Sequence, residues 1–531
     1  MTLGLGLASH SLHVGYLRPP SAVTSHPPRH PRRTETTVSA ALTEALSNFE
    51  GFVSGNILIW ILLGTGLYLT VRTRAVQLRL FVRALRLVAH SRHQRGSLSS
   101  FQAFVIGLGG RVGTGNIAGV ALAVTLGGPG ALLWMWVVAI LGMATSFAES
   151  TLAQVFKVRN VDGIFRGGPA YYMQRGIGGG LGRYMGVVFA VMLVFSYGLI
   201  FPMVQSNTIA LTLREAHGVS TSVTAIVLMA LTAPILLAGM RMVAKVTEWL
   251  VPLMALAYLV VILVVIVVSI DRVPGAFMDI FAGAFNLRSG LAGTGGGIFA
   301  TFLNGTKRGL FSNEAGQGSS PNGAATADVA HPVTQGLIQA LGVCVDTILI
   351  CTATGLTILL SSPAVYTPGV EPQWAETTLV QHALGDAVPG NWVIWFMSFV
   401  VLTFAYSSVL GYSAFAEINV SYLGGGQQAG VALRLAMTIA TGLGALVTLD
   451  LAWVMADVAL ALMTILNLVA VLWLSGWVVA TLRDYDAQMR DGVAEPVFIT
   501  SGNPLLPGEL DGDVWTADRA ILRQDSLHEE I

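Results

Sequence analysis

Runs of about twenty apolar residues recur along this chain, and they constrain it more than any other feature. At 1.5 Å per residue, twenty residues of helix cross the ~30 Å of hydrocarbon in a bilayer. The runs are continuous, whereas a membrane β-strand alternates apolar and polar side chains. Only 11% of the 531 residues are charged and 53% are hydrophobic, against about 25% charged in a soluble domain. The sequence therefore predicts an all-α polytopic membrane protein.

Eleven spans are expected, at roughly 52–71, 101–125, 131–153, 185–211, 222–240, 247–270, 277–308 (broken), 334–360, 391–415, 431–449 and 451–481. They make a transmembrane domain over 45–481. Residues 1–44 are polar, lack periodicity and are expected to be disordered; 482–531 read as a flexible cytoplasmic tail. The loop after the first span, "VRTRAVQLRLFVRALRLVAHSRHQRG", holds seven arginines and no acid. By the bias of Lys and Arg toward the inner side it is cytoplasmic, and its "LRLFVRALRLV" reads as an amphipathic helix on the membrane surface. Counting onward puts Lys157, Arg166, Lys307 and Arg308 inside, the N-terminus outside and the C-terminus in the cytoplasm. The outer loop 362–390 carries Glu371, Glu376 and Asp386 and no base. A multi-pass protein of a bacterial or archaeal plasma membrane follows, working as a monomer.

A net charge of zero gives no reason to expect nucleic acid as a partner. Cys344 and Cys351 would stand about 10 Å apart on one straight helix, too far for a disulfide. No GxxxxGK[ST] phosphate loop and no HExxH run is present, and the histidines nearest the spans, His90, His93, His331 and His382, fall in loops. These absences argue against a nucleotide-driven pump and against a membrane enzyme. A channel builds its filter from several copies around an axis, whereas here one chain carries two similar broken helices.

Those breaks are "GTGNIAG" at 113–119 and "GTGGGIFA" at 293–300, in the second and seventh spans. Five spans per unit turn the second unit upside down. The pattern is a five-plus-five inverted repeat, over about 101–270 and 277–481, with one extra span in front. Paired interrupted helices mark the midplane site of a secondary transporter. Non-helical backbone is tolerated at that depth only where it lines an enclosed cavity. A break frees N–H groups that suit a carboxylate and carbonyls that suit a small hard cation.

The stretches "RVGTGNIAGVALAVTLGGPGALLWMWVVAILGMATSFAES" and "TKRGLFSNEAGQGSSPNGAATADVAHPVTQGL" closely resemble the alanine/glycine:cation symporter family, the sodium:alanine symporters. "GGPAYYMQRGIG", "VCVDTILICTATGL" and "AYSSVLGYSAFAEINVSYL" are similar to it as well. The resemblance covers about 50–480. It implies a leucine-transporter-like core in spans two to eleven and uptake of a small neutral amino acid, alanine or glycine, driven by Na+. Drive by H+, or a preference for serine or glutamine, stays open.

On this reading Thr114, Gly115 and Asn116 at the first break contact substrate, with Gly295, Gly296 and Gly297 after Thr294 as a glycine wall at the second. Thr301, Gln205 and Trp395 are further candidate contacts, with Phe201 as a wall. Gln205 is polar inside a span, which is costly unless paired. The resemblance places Na+ among Gly113, Asn116, Thr403, Ser407 and Ser408. Asp346, deep in span eight, reads as an ion-coupling or gating carboxylate, because a charge there is retained only for a use or a partner. Asn313 and Glu314 are expected at the cytoplasmic end of span seven, as a gate and not as substrate ligands. For each polar residue the competing reading is a hydrogen bond between helices.

Overall fold

The structure, a computed structural model, describes residues 37–89, 97–285, 294–370, 374, 376–447, 450–510, 512 and 514–517. Helix α1 (Thr37–Val53) runs through one π-helical turn into α2 (Ile59–Arg72), followed by the short α3 (Val76–Arg79) and α4 (Phe81–Ala89). The first broken helix is α5 (Ser100–Arg111) with α6 (Ala118–Gly127), and α7 (Ala131–Val155) returns beside it. A hairpin of β1 (Val158–Arg159) and β2 (Phe165–Arg166) leads to α8 (Pro169–Tyr172), α9 (Gly179–Phe195) and α10 (Phe201–His217). Next come α11 (Thr221–Leu237), α12 (Met240–Val268), α13 (Val273–Ala284), α14 (Thr294–Asn313) and α15 (Ser320–Ala325). A π-helical stretch, Cys344–Cys351, joins α16 (Pro332–Val343) to α17 (Thr352–Leu359). The chain ends with α18 (Glu376–Ala387), α19 (Trp392–Tyr422), α20 (Gln427–Gly444), α21 (Asp450–Trp473) and α22 (Ser475–Arg490).

Seven of these helices are long and apolar enough to cross a membrane, eight with the bent pair α5–α6. The remaining expected spans fall on α11, α13–α14 and α20. Burial sorts the spans by position. Of the most apolar window in 332–359, 72% is buried, against 33% in α12. The first is therefore a central post and the second faces lipid. Leu253, Leu256, Leu263 and Val267 on α12 are all exposed, as lipid contact requires.

Three boundaries differ from the sequence reading. Residues 37–44 are helical, because α1 and α2 form one long rod; 1–36 lie outside the described residues. The described part of the tail is folded. Phe498 and Trp515 are buried, Phe498 N donates to Ala330 O, and Trp515 Nε1 donates to the carbonyls of Gln154 and Val155. Lys307 and Arg308 lie far from the arginine-rich loop. Gly305 abuts Ala131 at the first turn of α7, whereas the basic loop docks at the other end of the bundle through Arg79–Asp486 and Arg83–Ala494 O. Lys307 pairs there with Glu50 of α1 at 3.0 Å.

Candidate functional site

The first break arises where α5 loses helical backbone. Ser99 and Gln102 form a capping box at its start. Its end is Val112, with ψ 94°, and an extended Gly113. One 3₁₀ turn, Thr114–Asn116, follows before α6 begins, and the two halves meet at 60°. Asn116 holds the turn: its Oδ1 accepts from Gly113 N at 2.9 Å. Its amide donates to Asp346 Oδ1 at 2.7 Å and to Ser312 Oγ at 3.0 Å. Asp346 Oδ2 accepts from Ser312 and Thr347. The Asp346 carboxylate thus pins the first break to α14 through hydrogen bonds, and Asn116 is fully buried in that network.

The helix break that meets the first one lies beyond the glycine-rich stretch, and residues 286–293, just before that stretch, fall outside the described residues. Thr294–Asn313 is one continuous helix that contains Gly295, Gly296 and Gly297 in its first turn; Gly293 lies outside the described residues. The helix instead stops at Asn313. Glu314, Gly316 and Gly318 take left-handed φ of 52°, 85° and 80°, and α15 resumes at Ser320. Gly142, midway along α7, abuts Ala315 at this level, so Asn313 and Glu314 stand mid-bundle and not at its cytoplasmic end. Glu149 of α7 secures the break: Gly316 N donates to Oε1 at 3.1 Å and Asn467 Nδ2 to Oε2 at 2.9 Å. Asn467 also donates to Gly316 O and accepts from Tyr172.

Arg111 joins the two breaks. It ends α5, is 3% exposed, and donates to Ser320 Oγ at 2.6 Å, Ser146 Oγ at 2.8 Å and Gln339 O at 3.0 Å. The core between the broken helices therefore encloses one guanidinium and three carboxylates, those of Glu149, Glu314 and Asp346.

Between the breaks lies a closed cavity of about 20 Å³. Gly113, Thr114 and Gly115 form one wall; Gln205 and Tyr412 face Glu314 across it, and Phe201, Phe311 and Trp453 supply apolar surface. Gln205 Nε2 donates to Tyr412 Oη at 3.3 Å, while its Oε1 is buried and has no partner. The N–H groups of Thr114 and Gly115 have no backbone acceptor among the described residues. Glu314 accepts from Ser319 Oγ at 2.5 Å. The cavity lining thus combines two N–H groups that lack a backbone acceptor with acceptor oxygens of Gln205 and Glu314.

Beside the cavity, Gly110 and Gly411 let α5 and α19 touch backbone to backbone. That approach brings Ser407 Oγ to 3.5 Å from the carbonyls of Gly109 and Val112, and Ser408 Oγ to 3.4 Å from Val112 O. Two hydroxyls and two carbonyls from two helices make an oxygen-rich nook of the kind a hard cation takes.

Other expected contacts stand elsewhere. Thr301 donates to Gly127 O at 2.8 Å and ties α14 to the end of α6. Thr403 donates to the carbonyls of Phe399 and Val400 in its own helix, away from the break. Trp395 is 67% exposed and stacks on His217. Asn313 Oδ1 accepts from Ala315 N, and its amide nitrogen is buried without a partner. Cys344 and Cys351 are free thiols.

Sequence reasoning missed Arg111, Glu149, Trp453 and Tyr412. The two charged ones carried a usable signal, since an ionisable residue inside a span is rarely idle. The two aromatics carried none, because an aromatic in a span more often packs in the core or faces lipid.

The sequence is similar to those of known proteins along most of its length. A model of the sodium:alanine symporter family matches residues 39–500. The chain is 42% identical to a probable sodium/glutamine symporter, GlnT, of Bacillus subtilis, over 83% of this chain and 90% of that protein. It is 41% identical to the amino-acid carrier protein AlsT of the same organism, over 87% and 95%. It is 38% identical to the sodium/alanine symporter AgcS of Methanococcus maripaludis, over 83% and 96%. With a family match over most of its length and relatives covered almost end to end, the chain belongs to the sodium:alanine symporter family.

Proposed function

We propose that this protein imports alanine or glycine together with Na+, by alternating access around the cavity between the two breaks. The observation that carries the reading is the pairing of free N–H groups at Thr114 and Gly115 with the free Oε1 of Gln205 across one closed cavity. The substrate carboxylate takes the N–H groups, as anions do at helix starts, and the ammonium takes Gln205 Oε1. Phe311, Trp453 and Leu460 close on the substrate side chain and set its size. The Ser407 and Ser408 hydroxyls, with the carbonyls of Gly109 and Val112, hold Na+. Sodium there draws the first break and α19 together, which couples the ion to the substrate on the neighbouring residues.

Eleven spans in an inverted five-plus-five arrangement suit this role, with the basic loop in the cytoplasm and the second repeat broken at 314–319. A second reading, coupling to H+, draws on the excess of carboxylates over guanidinium in the enclosed core, since uncompensated negative charge in a low dielectric attracts a cation of either kind.

The test is uptake of labelled alanine into proteoliposomes under an imposed Na+ gradient, a K+ gradient or a pH gradient. Accumulation with Na+ alone is expected. Ser408→Ala should raise the Na+ concentration for half-maximal uptake about tenfold, the loss of one ligand-scale interaction, with the fold unchanged by thermal melting. Uptake driven by pH alone would transfer the ion role to a core carboxylate, and uptake of glutamine but not alanine would refute the substrate assignment.

A further inference from the structure

A second cavity lies far from the candidate transport site. It has a volume of about 570 Å³ and opens on the face that bears the arginine-rich loop, between the end of α2, the start of the basic loop and the later turns of α22. Five arginines line it, Arg72, Arg74, Arg79, Arg483 and Arg490, against one acid, Asp486. Arg79 takes both oxygens of Asp486, each at 2.9 Å. Arg72 lies 5.9 Å over the Tyr68 ring. Arg74 and Arg483 are exposed and have no ion-pair partner among the described residues. Consecutive left-handed residues, Arg74 and Ala75 with φ of 56° and 51°, turn the chain beside the cavity.

The cavity also sits at a boundary. The apolar windows of the first and last long spans end at Arg72 and Trp473, and Tyr68 Oη meets Ser475 Oγ at 3.2 Å to join those ends. Leu67, Val71 and Trp473 are 57%, 70% and 63% exposed on the two spans. Apolar surface on the spans thus leads to a ring of guanidinium groups at headgroup level. Guanidinium forks match phosphate oxygens two at a time, and basic pockets at span ends suit anionic headgroups.

We propose that this pocket binds the phosphate headgroup of an anionic phospholipid, with its acyl chains along Leu67, Val71 and Trp473. The lipid braces the extra N-terminal helix against the last span, at a site that does not depend on which solute is carried. Free phosphate shares the headgroup chemistry but has no use for the apolar surface beneath it.

The full-length protein, purified in detergent, is titrated with phosphatidylglycerol, with phosphatidylcholine and with inorganic phosphate, and bound lipid is counted by native mass spectrometry. Phosphatidylglycerol should be retained in preference to phosphatidylcholine and should resist millimolar phosphate. Arg74→Gln with Arg483→Gln should weaken phosphatidylglycerol about 30-fold, from the known contribution of each surface arginine, and leave phosphatidylcholine unaffected. The charge-conserving pair Arg74→Lys and Arg483→Lys should keep most of the binding, which separates lost charge from a disturbed fold. Equal retention by the glutamine variant would overturn the assignment, as would displacement of the lipid by inorganic phosphate or equal binding of the neutral lipid.

Discussion

At the scale of single residues, Gly113 is the tightest constraint in the transport site. A Cβ there would lie 2.6 Å from Ser408 Oγ and 3.4 Å from Gln205 Nε2. The backbone at Gly113 is therefore a shared wall between the substrate cavity and the oxygen-rich nook. Gly113→Ala should cut alanine uptake about 5- to 150-fold, since overpacking costs about 1–3 kcal/mol, and should raise the Na+ requirement along with the substrate KM. A fall in one without the other, measured in proteoliposomes, would show that the two are not joined at this residue. That Gly113, Thr114 and Gly115 would line a site was readable from "GTGN", because that run has no reason to interrupt an apolar helix except to free its backbone. Asn116 was readable as important, and the fold adds the contacts that hold it. Its side chain looks like a ligand in the sequence, whereas in the fold both of its ends are taken, by Gly113 N and by Asp346.

Among elements, the second break shows how a local signal can mislead. "GTGGG" matches the first break as a string, yet Thr294 to Gly297 form the first turn of a continuous α14. The unwound part, Glu314–Ser319, begins at a residue expected to serve as a gate at the cytoplasmic end of span seven. What makes it a break is Glu149, which supplies from α7 the acceptor that Gly316 N loses on leaving the helix. Glu149→Ala leaves Gly316 N and the Asn467 amide without that acceptor, at a cost of order 3 kcal/mol. It should lower the melting temperature in detergent and abolish uptake. Glu149→Gln keeps one acceptor oxygen and should lie between the two. A melting temperature unchanged in the alanine variant would mean that the break is held by something else.

Across the whole molecule, the folded C-terminal segment links α22 to the start of α16. His331 caps α16: its Nδ1 accepts from Val333 N, and its Nε2 meets Asp484 at 3.1 Å among the rings of Tyr485 and Phe498. Accepting at Nδ1 requires the neutral ring, with Nε2–H donating to Asp484. Burial lowers the pKa of His331 below its ordinary 6.5, against the opposing pull of Asp484. The folded state therefore binds fewer protons than the unfolded state, and stability should fall as pH drops through about 6.5. His331→Asn keeps a capping acceptor but removes the titrating group. Its melting temperature should lose part of the decline between neutral and mildly acid pH, and an unchanged decline would assign it to other groups.

The sequence alone determined that this is a helical membrane protein with a broken helix at 113–117 and a basic face, because hydrocarbon admits only long apolar helices and punishes every polar departure from them. Only the tertiary structure decided where the second break falls, which polar side chains face the cavity and which are held by their neighbours. Those outcomes depend on contacts between residues far apart in the chain, such as Arg111 with Ser320 and Glu149 with Gly316, and no local pattern encodes them.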